Sequence, residues 1–327
     1  MRRFDYAVAT DVAQAVAEGG PVTRFIAGGT NLLDLMKLEI ETPAKLVDIS
    51  RLDLDRVEAT DDGGLRIGAL VKNSDLAADT TVRSRYPALS RALLAGASGQ
   101  LRNMATTGGN LLQRTRCPYF YDPSAACNKR APGEGCDARE GINRTLAIIG
   151  TSTACIANHP GDMPVAMRLY DAVIVTQRAD GDKRRIPVAD FYRLPGGDPA
   201  RDTNLEPGEL ITHVELPPPP PGAHGYRKVR DRASYAFALV AAAGALEVKD
   251  GKIASARFAF GSIAPMPWRV AEAEQSLVGK APDAAAFLAA ADVALAGAQG
   301  FGHNDFKLPL ARRTLVALML ELAGEAK

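Results

Sequence analysis

The feature that most constrains the fold is a run of five consecutive prolines, Pro217 to Pro221, followed by Gly222. Proline has no N–H to donate and fixes φ, so neither a helix nor a central strand can continue through such a run. The segment should instead be stiff and extended. With 327 residues the chain is long enough for more than one packed unit. The run therefore predicts one domain over residues 1–218 and a second over 219–327.

Residues 1–52 have the pattern of a small α/β unit. Asp11 suits the start of a helix that ends before two glycines, so we predict a helix over residues 11–18. Strand-like and helix-like stretches then alternate: a strand over Thr23–Ala27, a glycine turn over Gly28–Asn31, a helix from Leu32 and a strand over Lys45–Ile49. The order strand, glycine turn, helix, strand predicts helices packed on a small sheet.

The rest of the chain predicts two further α+β assemblies. Residues 53–218 combine strand patterns with a helical one: strands at Leu65–Leu70 and Asp171–Arg178, and a helix near Val82–Ala97. Beyond the prolines, strand patterns precede helical ones: strands at Tyr226–Val229, Tyr235–Val248 and Ile253–Gly261, then helices near Trp268–Leu277, Asp283–Ala296 and Pro309–Ala323. That order predicts an antiparallel sheet covered by helices, and an α+β fold class for the whole chain.

Composition and charge exclude several classes of function. Hydrophobic residues are 46% and charged residues 24% of the chain, and the formal net charge is +1. There is no global field to attract nucleic acid, and no apolar run approaches the roughly 20 residues that cross a bilayer. The N-terminus turns polar after two arginines, so we expect no export signal of its own. A partner that carries a signal could still export the folded chain, so the compartment stays open.

Two glycine-rich turns are candidates for binding phosphates. Gly28 and Gly29 lie between a predicted strand and helix, where free backbone N–H groups can bind an anion. The stretch from Ala105 to Asn110, ATTGGN, again combines glycines with hydroxyl and amide groups. A plain turn with Thr30 or Asn31 capping the helix explains the first loop alone. Two such loops together fit the two phosphates of a dinucleotide, although the usual GxGxxG fingerprint does not follow any predicted strand.

A third turn, HPGDM, contains Asp162. Its carboxylate could accept a hydrogen bond from a ribose hydroxyl or from a flavin ring N–H. An aspartate beside a glycine is also a common turn residue without any further role.

All four cysteines fall within residues 117–155. Cys117, Cys127 and Cys136 lie in a polar loop rich in proline and glycine, where packing does not explain a thiol, while Cys155 lies in an apolar stretch. A structural zinc site, disulfides and an iron–sulfur cluster are the alternatives. Zinc ligands commonly come in CxxC pairs, which this chain lacks, and disulfides need an oxidising compartment. Spacing favours a cluster without excluding zinc, since both accept four thiolates.

Three segments together resemble the FAD-binding subunits of the xanthine oxidase, or molybdenum hydroxylase, family. These segments are FIAGGTNLLDLMK from Phe25, TTGGNLLQRTRCPYFYD from Thr106 and YRKVRDRASYAFALV from Tyr226. The resemblance covers nearly the whole length and is greatest to flavin subunits of bacterial periplasmic aldehyde oxidoreductases. It implies a vanillyl-alcohol-oxidase-type FAD domain of two parts, 1–52 and 53–218, followed by the family's C-terminal flavin-subunit domain.

The resemblance also implies which residues hold cofactors. The FAD diphosphate would lie against Ala27, Gly28, Gly29, Thr30, Asn31, Leu32, Thr106, Gly109 and Asn110. Asp162, Leu210 and Lys228 match positions that approach FAD in relatives, although Lys228 could equally be a solvated or paired charge. Most members lack the insertion that carries the cysteines. Those that have it, including the flavin subunit of 4-hydroxybenzoyl-CoA reductase, bind a [4Fe-4S] cluster, so a cluster on Cys117, Cys127, Cys136 and Cys155 is implied within the loop 114–155.

The function implied by the resemblance is electron transfer within a complex. An aldehyde would be oxidised on a molybdenum-cofactor-binding large subunit, and electrons would pass through a [2Fe-2S] small subunit to FAD and an external acceptor. No side chain of this chain is expected to act as acid or base. The complex would be periplasmic if a partner with a twin-arginine signal exports it, and cytoplasmic otherwise. Two rival functions remain: a stand-alone nicotinamide-dependent flavin oxidoreductase, and a zinc-stabilised assembly module.

Overall fold

The computed structural model describes residues 1–325, which fold around three β-sheets with helices packed against them. The first unit contains a three-stranded parallel sheet in the order β1–β3–β2. Its elements are β1 (Asp5–Val8), α1 (Val12–Ala17), β2 (Thr23–Ile26), α2 (Leu32–Lys37) and β3 (Lys45–Asp48). The predicted α/β unit is thus present, and Asp11 caps α1 by accepting from the Gln14 N–H. Strand β1 was not predicted.

The second unit is built on a five-stranded antiparallel sheet in the order β4–β5–β8–β6–β7. Its strands are β4 (Val57–Ala59), β5 (Leu65–Gly68), β6 (Val173–Gln177), β7 (Lys183–Pro187) and β8 (Leu210–Leu216). Its helices are α3 (Asn73–Ala78), α4 (Thr80–Arg85), α5 (Pro87–Ala95), α6 (Gly99–Arg102), α7 (Thr107–Leu111), α8 (Pro118–Tyr121), α9 (Met163–Leu169) and α10 (Val188–Phe191). The helix predicted near Val82–Ala97 is in fact two, because Pro87 begins a new one.

The third unit follows the proline run and has an antiparallel sheet in the order β11–β10–β9. Its elements are β9 (Ala223–Val229), β10 (Val240–Lys249), β11 (Lys252–Gly261), α11 (Ala271–Gln275), α12 (Ala284–Ala294) and α13 (Lys307–Glu325). The predicted order of strands followed by helices is confirmed. The strand expected from Tyr235 begins only at Val240, because the preceding residues form a loop in which Tyr235 has φ +51°.

The second and third units share a hydrophobic core. Ala243, Ala245 and Ala259 from the C-terminal sheet pack into the same cluster as Leu89 of α5 and Met167 of α9. A separate cluster lies between the other face of that sheet and α12 and α13. The small alanine side chains let the helices of the second unit lie close to the sheet. Within the described residues no helix is long and apolar enough to span a membrane.

Candidate functional site

The two glycine loops lie directly against each other. A Cβ on Gly28 would come within 1.9 Å of the Met104 carbonyl oxygen, so only glycine permits this contact. Asn31 joins the loops from the other side, since its Nδ2 donates to the Gly109 carbonyl at 3.2 Å. Its Oδ1 accepts from Arg116 at 2.8 Å. Asn31 therefore joins the loops rather than capping α2, for which its side chain makes no bond.

Gly29 and Gly109 differ in how strictly the structure requires glycine at their positions. Gly29 has φ +71°, and a Cβ there would meet Leu33 Cδ1 at 2.9 Å, so the backbone conformation requires glycine. At Gly109 an added Cβ would meet only Thr106 Oγ1, at 3.1 Å. Thr106 caps α7 by accepting from the Gly109 N–H at 3.3 Å. Because α2 and α7 have only six and five residues, backbone amides rather than a long helix dipole define this site.

A cavity of about 510 Å³ opens on one side of the loops. It is lined by eight of the twelve residues predicted to bind the cofactor: Ala27, Gly28, Gly29, Thr30, Asn31, Leu32, Thr106 and Gly109. Further parts of the wall come from Phe25 in β2, from Glu41 and Arg114, and from the segment 200–209. Leu210 does not line it, because its side chain is buried in the core of the first unit, but its neighbour Glu209 does.

A second cavity, of about 300 Å³, opens on the other side. Thr30 and Asn31 line both cavities, so the glycine loops lie between them. The second cavity also contains the other three predicted residues, Asn110, Asp162 and Lys228. The two cavities and the loops between them form an elongated site whose middle is lined by the backbone of the glycine loops. This shape suits a dinucleotide whose diphosphate lies at the centre.

Asp162 and Lys228 form a buried ion pair at the wall of the second cavity. Lys228 Nζ lies 2.8 Å from Asp162 Oδ2 and also donates to the Ala95 carbonyl. Tyr226 donates to Asp162 Oδ1 at 2.6 Å. The pKa of Tyr226 is raised well above its usual value by burial and by the adjacent Asp162 carboxylate. Both oxygens of Asp162 thus accept hydrogen bonds, and the charge of Lys228 is neutralised by Asp162 inside the protein instead of being solvated.

Sequence reasoning missed several residues of the second cavity. Asn73, the first residue of α3, has a buried Oδ1 without a hydrogen-bond partner among the described residues. An unsatisfied amide beside a cavity is a fitting contact for a polar ligand. Phe237, half exposed, packs on the Arg116 guanidinium at 5.1 Å. No sequence pattern singles out Asn73. Gln113 and Arg116 also line the cavity, and their place in the segment TTGGNLLQRTRCPYFYD, just after the second glycine loop, is the sequence signal that points to them.

The four cysteines converge around a small separate cavity. Cys117, Cys127, Cys136 and Cys155 all line it, and they are free thiols. Cys127 and Cys136 face each other across an isolated antiparallel bridge. Burial raises the pKa of Cys117 to about 12. Within residues 1–325 no group of three or more histidine, cysteine or acidic side chains is placed to hold a single metal ion. The space between the thiols is about 10 Å³.

A partly buried charge cluster connects the cysteine cavity with the first cavity. Asp202 Oδ1 accepts from Lys129 at 2.5 Å, and Asp202 Oδ2 accepts from Arg114 at 2.7 Å. Arg114 also binds Glu41, at 2.7 Å. Burial opposes ionisation of Asp202, but the two cations outweigh it and lower its pKa. The basic residues near the cysteines are therefore partly structural, although Lys129 also lines the cysteine cavity.

The fold and site place the chain among the flavin-binding subunits of molybdenum hydroxylases. Residues 2–219 match the family described as "FAD binding domain in molybdopterin dehydrogenase", and residues 224–322 match "CO dehydrogenase flavoprotein C-terminal domain". The chain belongs to this family of FAD-binding proteins. The described elements agree with the predicted α+β class and with the antiparallel C-terminal sheet.

Individual relatives refine this assignment. The "Aldehyde oxidoreductase FAD-binding subunit PaoB" of Escherichia coli is 56% identical over 100% of both chains. The "Carbon monoxide dehydrogenase medium chain" of Afipia carboxidovorans is 31% identical over 98% of this chain and 96% of its own. Among solved structures, CO dehydrogenase from Oligotropha carboxidovorans has a TM-score of 0.77 at 26% identity, covering 100% of this chain and 99% of that one.

Proposed function

We propose that this chain is the FAD-binding electron-transfer subunit of a molybdenum-dependent aldehyde oxidoreductase. The observation that carries the proposal is the meeting of two glycine loops between two cavities that share Thr30 and Asn31. The full-length similarity to an aldehyde oxidoreductase subunit supports the substrate class. Bound FAD would accept electrons released by aldehyde oxidation elsewhere in the complex and pass them to an external acceptor.

The residues of this chain would bind and orient the cofactor. Backbone amides of the two loops would hold the diphosphate, and the Thr106 hydroxyl would fix the second loop. The flavin ring would lie in the second cavity, because the wall of that cavity supplies polar groups suited to the edge of the ring. Among these groups is the Asp162 carboxylate, which Lys228 and Tyr226 hold in place. The larger and more apolar first cavity would take the adenosine end.

We further propose that Cys117, Cys127, Cys136 and Cys155 bind a [4Fe-4S] cluster. Four free thiols around one cavity, three of them buried and Cys136 partly exposed, supply the donor set that such a cluster needs. Lys129, at the wall of that cavity, would offset the negative charge of the cluster and its thiolates. The cluster is larger than the space between the thiols, so the side chains would have to turn outward on binding it.

The partners follow from the proposed reaction. The substrate would bind a large subunit with the molybdenum cofactor, and a small subunit with [2Fe-2S] centres would deliver electrons to this chain as part of a heterotrimer. Medium chains of carbon monoxide dehydrogenase and other members of the family bear names that place them in multi-chain enzymes. The compartment would be that of the assembled complex, periplasmic when a partner carries a twin-arginine signal and cytoplasmic otherwise.

The first experiment purifies the native complex anaerobically and records its subunits, metals and visible spectrum. We expect flavin absorption, a broad band that dithionite bleaches, iron in this chain, and flavin reduction on adding an aldehyde. Reduction of the isolated chain by NADH or NADPH would instead support a stand-alone flavin oxidoreductase. Zinc without iron or flavin would support an assembly module.

A cysteine variant separates the two cofactors. Cys127→Ala removes one thiol from the cavity, and we expect it to lose iron while it retains FAD, because Cys127 lines neither nucleotide cavity. Ser124→Ala, an exposed change in the same loop, is the control and should retain both. Iron content and flavin absorption of each variant decide the matter. Full iron retention in Cys127→Ala would remove the cluster from the proposal.

A further inference from the structure

His159 lies between the cysteine cavity and the second cavity, on the segment that joins them. This segment starts at Cys155 and reaches Asp162 seven residues later, and the His159 ring meets the Tyr192 ring edge-on at a centroid distance of 4.6 Å. The His159 side chain is buried, and its Nδ1 accepts from the Gly161 N–H at 3.1 Å. Gly161 and Asp162 both line the second cavity. The imidazole therefore holds the backbone immediately before the ion-paired carboxylate.

The hydrogen bond at Nδ1 fixes the tautomer of the ring. Burial lowers the pKa of His159 to about 4, so the ring is neutral at pH 7. The charges of Arg116 and Lys129 also lower this pKa, while the Asp202 carboxylate raises it. A neutral imidazole whose Nδ1 accepts must carry its proton on Nε2. That Nε2–H is a buried donor with no partner among the described residues. Buried donors of this kind are rare, and a bound water commonly satisfies them.

A cavity of about 30 Å³ lies beside His159. It is large enough for one or two water molecules, and its wall is polar enough to hold them. The polar wall is formed by Gln113, Thr115, Lys129, Cys155, Asp202 and His159. Gln113 also lines the second cavity, and Lys129 and Cys155 also line the cysteine cavity. This small space therefore shares wall residues with both the cysteine cavity and the second cavity.

We infer that this cavity is a water-binding site in which ordered water accepts from His159 Nε2–H, making His159 a positioning residue for residues 155–162. The water satisfies the orphaned donor and connects it to the polar wall that includes Asp202 and Thr115. The ring is thereby held at both nitrogens, and the Gly161–Asp162 backbone is held with it. The role toward cofactors depends on the proposed function, whereas the water site itself does not.

The direct test is a structure of the purified complex at a resolution that shows ordered water. We expect density for at least one water within hydrogen-bond distance of His159 Nε2. A dry cavity, or a protein acceptor at Nε2, would overturn the inference. This result is independent of whether FAD or a cluster is present, so it can fail separately from the proposed function.

Two variants of His159 test the positioning role in the complex. His159→Gln places an amide donor near the former Nε2, whereas His159→Phe keeps an aromatic ring against Tyr192 and removes both nitrogens. We expect FAD to bind about tenfold more weakly to the Phe variant, which loses both hydrogen bonds, and the Gln variant to recover only the part of that loss that the water contributes. Flavin fluorescence on titration of the FAD-depleted complex measures the affinity.

The matched control is His224→Phe. His224 is also buried, but both its ring nitrogens are bonded within the protein, to the Tyr170 hydroxyl at 3.1 Å and the Pro220 carbonyl at 2.8 Å. It lines none of the cavities described above. We expect this variant to lose thermal stability without a change in FAD affinity. Wild-type FAD affinity in His159→Phe, or an equal loss in His224→Phe, would assign His159 a purely structural role.

Discussion

At the scale of single residues, the site depends on groups whose neighbours leave them little freedom. Gly28 is required by the close approach of Met104, and Gly29 by its left-handed backbone. Asp162 is held at both oxygens by Lys228 and Tyr226. These residues therefore shape the site before any ligand arrives, which lowers the entropy cost of binding.

Gly109 offers the most direct probe of the diphosphate site. A Cβ added at Gly109 would meet only Thr106 Oγ1. We therefore expect Gly109→Val to fill space at the glycine loops between the two cavities without unfolding the chain. FAD should be lost, measured as flavin absorption per chain after gel filtration. Gly99→Val, in α6 with nothing within 4 Å of the added Cβ, is the control and should retain FAD. Equal FAD content in both variants would contradict a diphosphate at this loop.

The ion pair of Lys228 with Asp162 predicts a strong non-additive effect. Lys228→Met leaves a buried carboxylate without its counter-ion, which should cost about 3–5 kcal/mol in the free energy of unfolding. Adding Asp162→Asn removes the uncompensated charge and should recover part of that loss. Urea unfolding of the wild type, both single variants and the double variant measures the coupling. Additive losses would mean that the pair is not coupled.

At the scale of elements, the connection between α10 and β8 links two sites that lie far apart in sequence. Asp202, in this connection, binds Arg114 at the wall of the first cavity and Lys129 at the wall of the cysteine cavity. The short helices around the glycine loops have little stability of their own, so such long-range contacts hold them in place.

Replacing Asp202 by asparagine tests this connection. The change leaves Lys129 without its only carboxylate among the described residues, and Arg114 with Glu41 alone. We expect Asp202→Asn to lower the free energy of unfolding by about 1–3 kcal/mol, since the buried Lys129 and the partly buried Arg114 lose a counter-charge. Asp198→Asn, an exposed change four residues earlier, should be neutral. Chemical denaturation followed by tryptophan fluorescence compares the two variants.

At the scale of the whole molecule, buried polar side chains join the C-terminal unit to the segment before Cys155. Lys307, at the start of α13, donates to the carbonyls of Thr145, Leu146 and Ser262. Asn304 donates to the carbonyls of Leu146 and Ala147. The cysteine loop is thus fastened by the third unit as well as by the second.

Lys307 predicts a pH-dependent contribution to stability. Burial lowers its pKa from 10.5 to about 7, so the unfolded chain binds more protons than the folded chain between pH 7 and 10.5. Stability that this residue contributes should therefore rise with pH across that window and fall as pH drops toward 7. The difference in melting temperature between wild type and Lys307→Met should grow in favour of the wild type from pH 7 to 10. A constant difference would contradict the lowered pKa.

The sequence predicts the α+β class and most elements, because these depend on local periodicity and on caps such as Asp11. It also points to the glycine loops and the cysteines, whose residue types are unusual where they occur. It does not reveal Asn73, His159 or Asp202 as neighbours of the cavities, since their roles come from contacts between segments distant in the chain. The irregular loop at Tyr235 was missed because its aromatic and apolar residues have the composition of a strand.

The alanine face of the C-terminal sheet has a consequence for how this chain can be cut or recombined. Ala243, Ala245 and Ala259 complete a core whose larger side chains come from helices on the far side of the proline run. The prolines therefore divide the sequence into two parts, but the two parts share one hydrophobic core. A fragment ending there would expose apolar helix surface, and a chimaera with a relative's second half would fit only if its small residues were matched as well.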